Sequence, residues 1–303
     1  MSQNYTPIYI ALRYLKGRKS GFLSFISSLA FVSTSLGVAV LIIVSSVMNG
    51  FEKELKERIL NVIPHASIYG LSPIQDWKQV ELNLREDINI EGISPYIETE
   101  ALIKSKSSVV GARINGVDSK KDKSVSVINE FIELGDLSEI EQGDKIILGY
   151  ILARKLNVGL GDKVSLLLPD SNASFAGYFP KSKTFQVGGI FNVGSKELDE
   201  VLAYISLENA ASLTGLKDKI HGFRIKYENL FDAPYLVWQS LIFAEKDLIN
   251  LLNAEDWSYT YGPLFEAIMM EKSLVLLLLF LIIIVAAFNL SLIHISEPTR
   301  PTL

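Results

Sequence analysis

Ser273 to Leu290 reads SLVLLLLFLIIIVAAFNL, and no charged residue occurs from Ser273 to Ile293. A bilayer core takes about 20 apolar residues in a helix, and on any insertion scale this is the stronger of two such segments in the chain. The other lies far upstream: Phe22 to Met48 is also free of charge, with an almost purely aliphatic second half, Leu36 to Val44. Its first half is rich in serine. Ser33 with Gly37, and Ser35 with Ala39, place small residues four apart, a spacing that lets another helix approach closely. The alternative is that the serines bond back to their own helix carbonyls. A cleaved signal peptide is the main competitor here, but signal cores run about 7–15 residues; this run is longer, and the charged helix Phe51 to Ile59 follows without a break.

The flanks orient the pair. Arg13, Lys16, Arg18 and Lys19 precede the first span with no acid among them, whereas Glu52, Lys53, Glu54, Lys56, Glu57 and Arg58 after it cancel. The positive-inside rule places the N-terminus in the cytoplasm and residues 50 to 270 outside. Ile8, Leu12 and Leu15 share one helical face beside the basic residues, which reads as a short helix in the inner interface, or else as an extension of the first span.

Between the spans the chain reads as a soluble domain. Phe51, Leu55 and Ile59 carry one apolar stripe past the membrane until Pro64 stops the helix. Strands are expected at His65 to Tyr69, Ala101 to Lys104, Val109 to Val117, Lys163 to Leu168, Phe185 to Phe191, Val201 to Ser206 and Gly222 to Tyr227. Helices are expected at Ile74 to Leu84, Gly149 to Leu156, Leu207 to Leu213 and Ala233 to Leu252. That order is α+β rather than repeating βαβ, with Ser119 to Lys123 a polar break that fits between two lobes. One loop stands out. Asp170 to Lys183, DSNASFAGYFPKSK, is longer than a hairpin needs. It carries Phe175, Tyr178 and Phe179, with Gly177 and Pro180 at its bends and Lys181 and Lys183 beside it. Aromatics on a projecting loop fit a protein-binding element; the alternative folds the rings back onto the domain's own sheet.

Composition excludes several chemistries. The 303 residues carry a net charge of −5, no cysteine and three scattered histidines, so thiolate sites and disulfides are out and a histidine metal site has little to draw on. The basic residues form no long patch, which argues against nucleic acid. G-x-x-x-x-G-K-[ST], H-E-x-x-H and G-x-S-x-G are all missing. Gly188 and Gly189 read as a strand bulge. Glu52, Glu54 and Glu57 read as a solvated helix, and Asp199 with Glu200 as a turn or surface edge. The reading is of a non-enzyme that binds, couples or transmits.

At residues 47 to 68, VMNGFEKELKERILNVIPHASI closely resembles the LolC/LolE/LolF permeases of the lipoprotein-releasing ABC system. The opening IALRYLKGRKSGFLSFISSLAFVSTSLGVAVLII, the central ILGYILARKLNVGLGDKVSLLLP and the late FEAIMMEKSLVLLLLFLIIIVAAFN resemble the same family in the same order, over roughly residues 5 to 290. The resemblance implies an α+β, MacB-like periplasmic domain inserted between two transmembrane helices of a multi-pass inner-membrane protein. The expected layout is an N-terminal cytoplasmic or interfacial segment at 1–21, a first membrane helix at 22–48, the periplasmic domain at 49–271, a second membrane helix at 272–290 and a tail at 291–303.

It further implies partners: a LolD-like ATPase dimer that uses the ATP, a second permease (LolE-like or a second copy), a LolA-like periplasmic carrier, lipoprotein substrates and membrane lipids, with no cofactor bound by this chain. In such permeases a hook captures the carrier. Here it corresponds to the loop holding Phe175, Ala176, Gly177, Tyr178, Phe179, Pro180 and Lys181, with Lys183 at a basic position beside it; loop length, glycine and proline look LolC-like or LolF-like. A lipoprotein cavity is implied as well, assigned to Val40, Ile43, Val44, Val47, Met48, Phe51 and Leu55 of the first span and Leu276, Phe280 and Ile283 of the second. The family would continue into a coupling segment and two more spans, whereas SLIHISEPTRPTL resembles translated adapter DNA. His294 and Arg300 are therefore given no functional weight, and the chain as written is expected to lack the part that engages the ATPase. The competing expectations are a MacB-like or FtsX-like permease for another substrate, a two-span sensor, and a signal-anchored periplasmic enzyme.

Overall fold

A computed structural model describes residues 21–55, 62–168, 181–244 and 252–295. Contacts divide the chain into two compact units: Met1–Lys53 with Pro263–Leu303, and Glu54–Gly262. In chain order the elements are α1 (Gly21–Leu55), β1 (Ala66–Ile74), α2 (Trp77–Leu84), β2 (Ile90–Lys104), β3 (Val109–Val117), α3 (Ser119–Asp122), β4 (Ile132–Leu134), β5 (Lys145–Gly149), α4 (Tyr150–Leu156), β6 (Lys163–Leu168), β7 (Lys181–Phe191), α5 (Lys196–Val201), β8 (Leu202–Ser206), α6 (Leu207–Thr214), β9 (Ile220–Tyr227), α7 (Ala233–Ala244), β10 (Leu252–Asp256) and α8 (Trp257–Ile295).

The second unit is built on one mixed sheet in the order β10-β1-β9-β2-β3-β8-β5-β7-β4, with β6 bridging β2 and β7. Pairing is antiparallel except for β3 with β8 and β5 with β7, the pattern of an α+β domain rather than of repeated crossovers. Its register shift beside Gly188 is the bulge expected at the glycine pair. One end of the core gathers Val117, Ile128, Leu137, Ile147, Phe191, Val193 and Tyr204, with Phe191 and Tyr204 edge-to-face at 5.8 Å.

Several expectations need correction. Ile74 closes β1 rather than opening a helix, and α2 begins at Trp77. The long helix expected from Ala233 is described only to Ala244, and Leu252 starts strand β10. Ser119 to Lys123 is no break between lobes: Asp118 caps α3 by accepting from the Lys120 and Lys121 N–H groups, and Ser119 and Asp122 are buried. Asp199 is likewise no surface edge. It is buried, and its two oxygens accept the Val193 and Gly194 N–H groups, each at 2.9 Å, tying the turn after β7 to α5. Glu200 pairs with Lys155.

The first unit is two long helices. Phe31–Glu54 and Trp257–Val285 have hydropathies of 2.2 and 2.6 and are apolar and long enough to cross a membrane. Their apolar side chains stay outside any packed core: Ile43, Val47, Leu276 and Phe280 are all more than 60% exposed. A soluble protein would bury such helices. The interfacial helix expected around Ile8 to Leu15, and the stretch approaching Pro64, fall outside the described residues.

Candidate functional site

Two places carry the features expected of a functional site: the helix pair and the base of the β6–β7 hairpin. The helices run antiparallel. Gly37 lies against Ile282, Lys272 pairs with Glu52, and between these contacts a groove of about 280 Å³ is lined by Ser45, Met48, Asn49, Lys272, Val275, Leu276 and Leu279. On α1 the less exposed positions are Thr34, Gly37, Leu41, Ser45, Met48 and Glu52, three or four apart, so they form one seam. Small residues at Gly37 and Ser45 allow that approach.

The seam sorts the residues assigned to a lipid-receiving cavity. Met48 and Leu276 come together in the groove. Val40, Ile43, Val44, Val47 and Phe51 form an exposed stripe on one flank of α1. Phe280 and Ile283 follow the α8 seam residues Leu279 and Ile282 by one position, and Val40 and Val47 precede the α1 seam residues Leu41 and Met48 by one. In an antiparallel pair at 100° per residue these offsets face opposite sides. Leu55 ends α1.

The hairpin places the basic residues. Leu166 opposes Lys183, and Leu168 opposes Lys181. Lys181 is exposed where β7 begins. Lys183 is half-buried: its Nζ lies 2.7 Å from Asp144 Oδ1 and donates to Asn209 Oδ1 at 2.6 Å, above the Phe185 ring. Asn209 is itself fixed, its backbone N–H donating to Ser206 Oγ and its amide to the Gly143 carbonyl. Phe175, Ala176, Gly177, Tyr178, Phe179 and Pro180 lie outside the described residues.

A third feature escaped the sequence reading. Arg224 on β9 is buried, donates to Asn115 Oδ1 at 2.7 Å and Asp122 Oδ1 at 3.3 Å, and stacks on Tyr96. It lines a cleft of about 210 Å³ with Glu98, Arg113 and Tyr204 among the walls. Burial pushes the Asp122 carboxyl up, against the opposing pull of Arg224. Burial also acts to lower the Arg224 guanidinium, but Asp122 and the surrounding oxygens outweigh it, and the net direction is upward. The available signal was a lone arginine inside GFRIKY, a strand buried along most of its length. Among the described residues no group of three or more His, Cys, Asp or Glu is placed to hold a metal ion.

Comparison with known proteins bears on the arrangement directly. Residues 27–232 match the family described as the MacB-like periplasmic core domain. The lipoprotein-releasing system transmembrane protein LolC of Neisseria meningitidis serogroup B is 35% identical over 93% of this chain and 68% of its own length. LolC of Xylella fastidiosa is 34% identical over 95% and 69%. The transmembrane protein LolE of Haemophilus influenzae, from a system of the same name, is 31% identical over 94% and 69%.

Proposed function

The chain belongs to the LolC/LolE family of lipoprotein-releasing transmembrane permeases, and from that premise we propose that it lifts lipoproteins out of the bacterial inner membrane and delivers them to a soluble periplasmic carrier. It is a permease subunit, not the catalytic part of its transporter. On this reading a LolD-like ATPase binds and hydrolyses the ATP, a second permease (LolE-like or another copy) completes the membrane part, and this chain holds no cofactor. The protein sits in the inner membrane as a multi-pass subunit, with Glu54–Gly262 in the periplasm.

The observation that carries the proposal is the helix pair, whose apolar side chains remain exposed along both flanks. Acyl chains leaving a bilayer forfeit about 0.8 kcal/mol per methylene, so they need a continuous apolar surface to follow. The stripe Val40, Val44, Val47 and Phe51 offers one, with the Met48–Leu276 groove beside it. The loop 170–183 then serves as the hook, with Lys181 and Lys183 at its base.

A photo-crosslinking amino acid at Val47 or Phe51, in membranes also containing the ATPase, tests the cargo. Triacylated lipoprotein should form an adduct and a non-acylated form should not; equal labelling of both removes the lipid-recognition reading. The hook is tested separately by changing Phe175, Tyr178 and Phe179 together to Ala, which should weaken carrier binding at least tenfold in a calorimetric titration. Unchanged affinity overturns the hook assignment. Transport of a different, non-lipidated substrate would favour a MacB-like or FtsX-like permease instead.

A further inference from the structure

Gly111 stands inside β3 where packing does not call for a glycine. Elsewhere in the sheet it does: a Cβ on Gly116 would lie 2.1 Å from Ala210 Cβ, and one on Gly222 would lie 2.3 Å from the Ile68 carbonyl oxygen. A Cβ on Gly111 would meet nothing within 4 Å, and its φ is not positive. Glycine weakens a strand interior, and one that no neighbour requires marks a place where something else comes close to the backbone. The missing side chain opens a groove of about 430 Å³. Gly111 opposes Leu102 on β2, and Leu102 opposes Leu167 on β6, so the three positions form one row across the sheet on a single face. Val201 and Leu168 add to the apolar lining, and Leu102 is 48% exposed within it. The charged lining residues, Glu100 and Arg113, oppose each other on the next rung of the same face.

We propose that this groove receives one acyl chain of a lipoprotein after it has left the bilayer. The source of the chain rests on the lipoprotein-release reading above; its chemistry rests on the groove. The volume falls within the range of small-molecule sites, about 300–1,000 Å³. The row Gly111, Leu102 and Leu167 offers no side-chain donor or acceptor, so a polar peptide seated there would lose its bonds to water and gain none. An alkyl chain loses nothing by the same move and gains burial. A protein surface is the weaker match, because the centres of such interfaces are built from aromatic side chains, and among the lining residues there is none. The Glu100–Arg113 rung supplies polar partners where the chain ends and its head begins. Position fits the same use: Leu168 pairs with Lys181 at the base of the β6–β7 hairpin, so the groove adjoins the proposed hook. A chain held here stays out of water beside the place where the carrier is proposed to dock.

Two photoreactive probes test this on the full chain, in the same membranes as the crosslinking at Val47: palmitic acid with a diazirine in its chain, and a triacylated lipoprotein whose acyl chains carry the same group. On irradiation both should label Leu102 or Leu167, located by peptide mass spectrometry. Gly111→Leu, whose side chain starts in open space, fills the hollow and should cut both adducts at least fivefold while leaving the thermal transition in place. Leu102→Gln, which keeps the bulk but not the apolar wall, should cut labelling of Leu167 by a similar factor. Adducts that ignore both variants overturn the proposal. So does a groove that stays unlabelled while the lipoprotein still crosslinks at Val47, a result that leaves the release reading standing. Labelling by palmitic acid alone, with no lipoprotein adduct in the groove or at Val47, overturns the lipoprotein as the source and the release reading with it.

Discussion

Arg224 and Asp122, 102 positions apart in sequence, meet at 3.3 Å with side chains 8% and 0% exposed. The pair fastens α3 to the middle of the sheet. Removing one member strands the other charge, a loss of about 3–5 kcal/mol, whereas removing both is often nearly neutral. Arg224→Met should therefore lower the denaturation free energy by roughly that amount, and Asp122→Ala with Arg224→Met should recover much of it. Chemical denaturation of the four members of the cycle measures this. Additive losses would show that the two residues act independently.

His65 makes stability depend on pH. Its Nδ1 accepts the Tyr227 N–H at 3.3 Å, which needs the unprotonated ring. Burial first, and Lys226 second, pull the imidazole down from 6.5 to about 4. A folded pKa below the unfolded one means that acid protonates the unfolded chain first. The contribution is thus complete above pH 6.5, drains away down to about pH 4, and then levels off. At 1.36 kcal/mol per unit the loss reaches up to about 3 kcal/mol. His221 is lowered in the same direction, also mainly by burial, so it adds to the slope. His65→Asn, which keeps an acceptor, should flatten much of the decline in thermal melts between about pH 7 and 4. An undiminished slope would sink the assignment to His65.

What the sequence disclosed follows from where its signals are local. The bounds of β3 and β6 matched expectation, because VVGARINGV and KVSLLL sit between clear turn residues. Strand β5 was missed: KIILG is a short apolar run with no alternation, which periodicity cannot tell from a helix start. Strand β10 was missed because LNAED has polar residues at most positions and lies on the sheet edge; tertiary pairing with β1 makes it a strand. The first half of β2 was hidden by Gly92 and Pro95. Of the site, the presence of two apolar helices was legible from the charge-free runs, though the apolar stretches at Phe31–Glu54 and Trp257–Val285 are offset from the expected 22–48 and 272–290; the seam that separates Met48 from Val47 depends on which face meets α8. The buried partner of Arg224 is a long-range contact that no spacing announces.

Lys183 tests whether a basic residue beside the proposed hook acts on a partner or on its own hairpin. It is bound to Asp144 and Asn209, so its charge is already partly answered within the domain. Asp144→Asn should release it and leave folding within about 0.5–1 kcal/mol of wild type, as for a half-exposed pair. If the lysine engages the proposed carrier by its charge, the carrier should then bind the variant somewhat more tightly. Lys183→Met should weaken carrier binding and also loosen the hairpin base, visible as faster amide exchange at Lys181 to Thr184. Faster exchange with unchanged carrier affinity would assign Lys183 a structural role only.

The helix pair can be tested without any cargo. A Cβ placed on Gly37 would meet the Ile282 side chain, 3.7 Å from its Cδ1 and 3.9 Å from its Cγ2, so thiols introduced at the two positions face each other across the seam within reach of a small helix adjustment. Gly37→Cys with Ile282→Cys should therefore oxidise within one chain, and the cysteine-free background makes the product unambiguous. Glu52 and Lys272 should hold this register, since their ion pair lies on the same seam. A charge-assisted contact of this kind contributes about 1.5–3 kcal/mol, so Lys272→Glu, which sets two acids side by side, should slow bridging about tenfold or more. Reversing both charges, Glu52→Lys with Lys272→Glu, should restore the rate, because the attraction depends on the pair and not on which helix carries the positive end. Bridging that ignores the single reversal would mean that apolar packing alone aligns the helices; failure of the double reversal to rescue would mean that Lys272 acts through something other than Glu52.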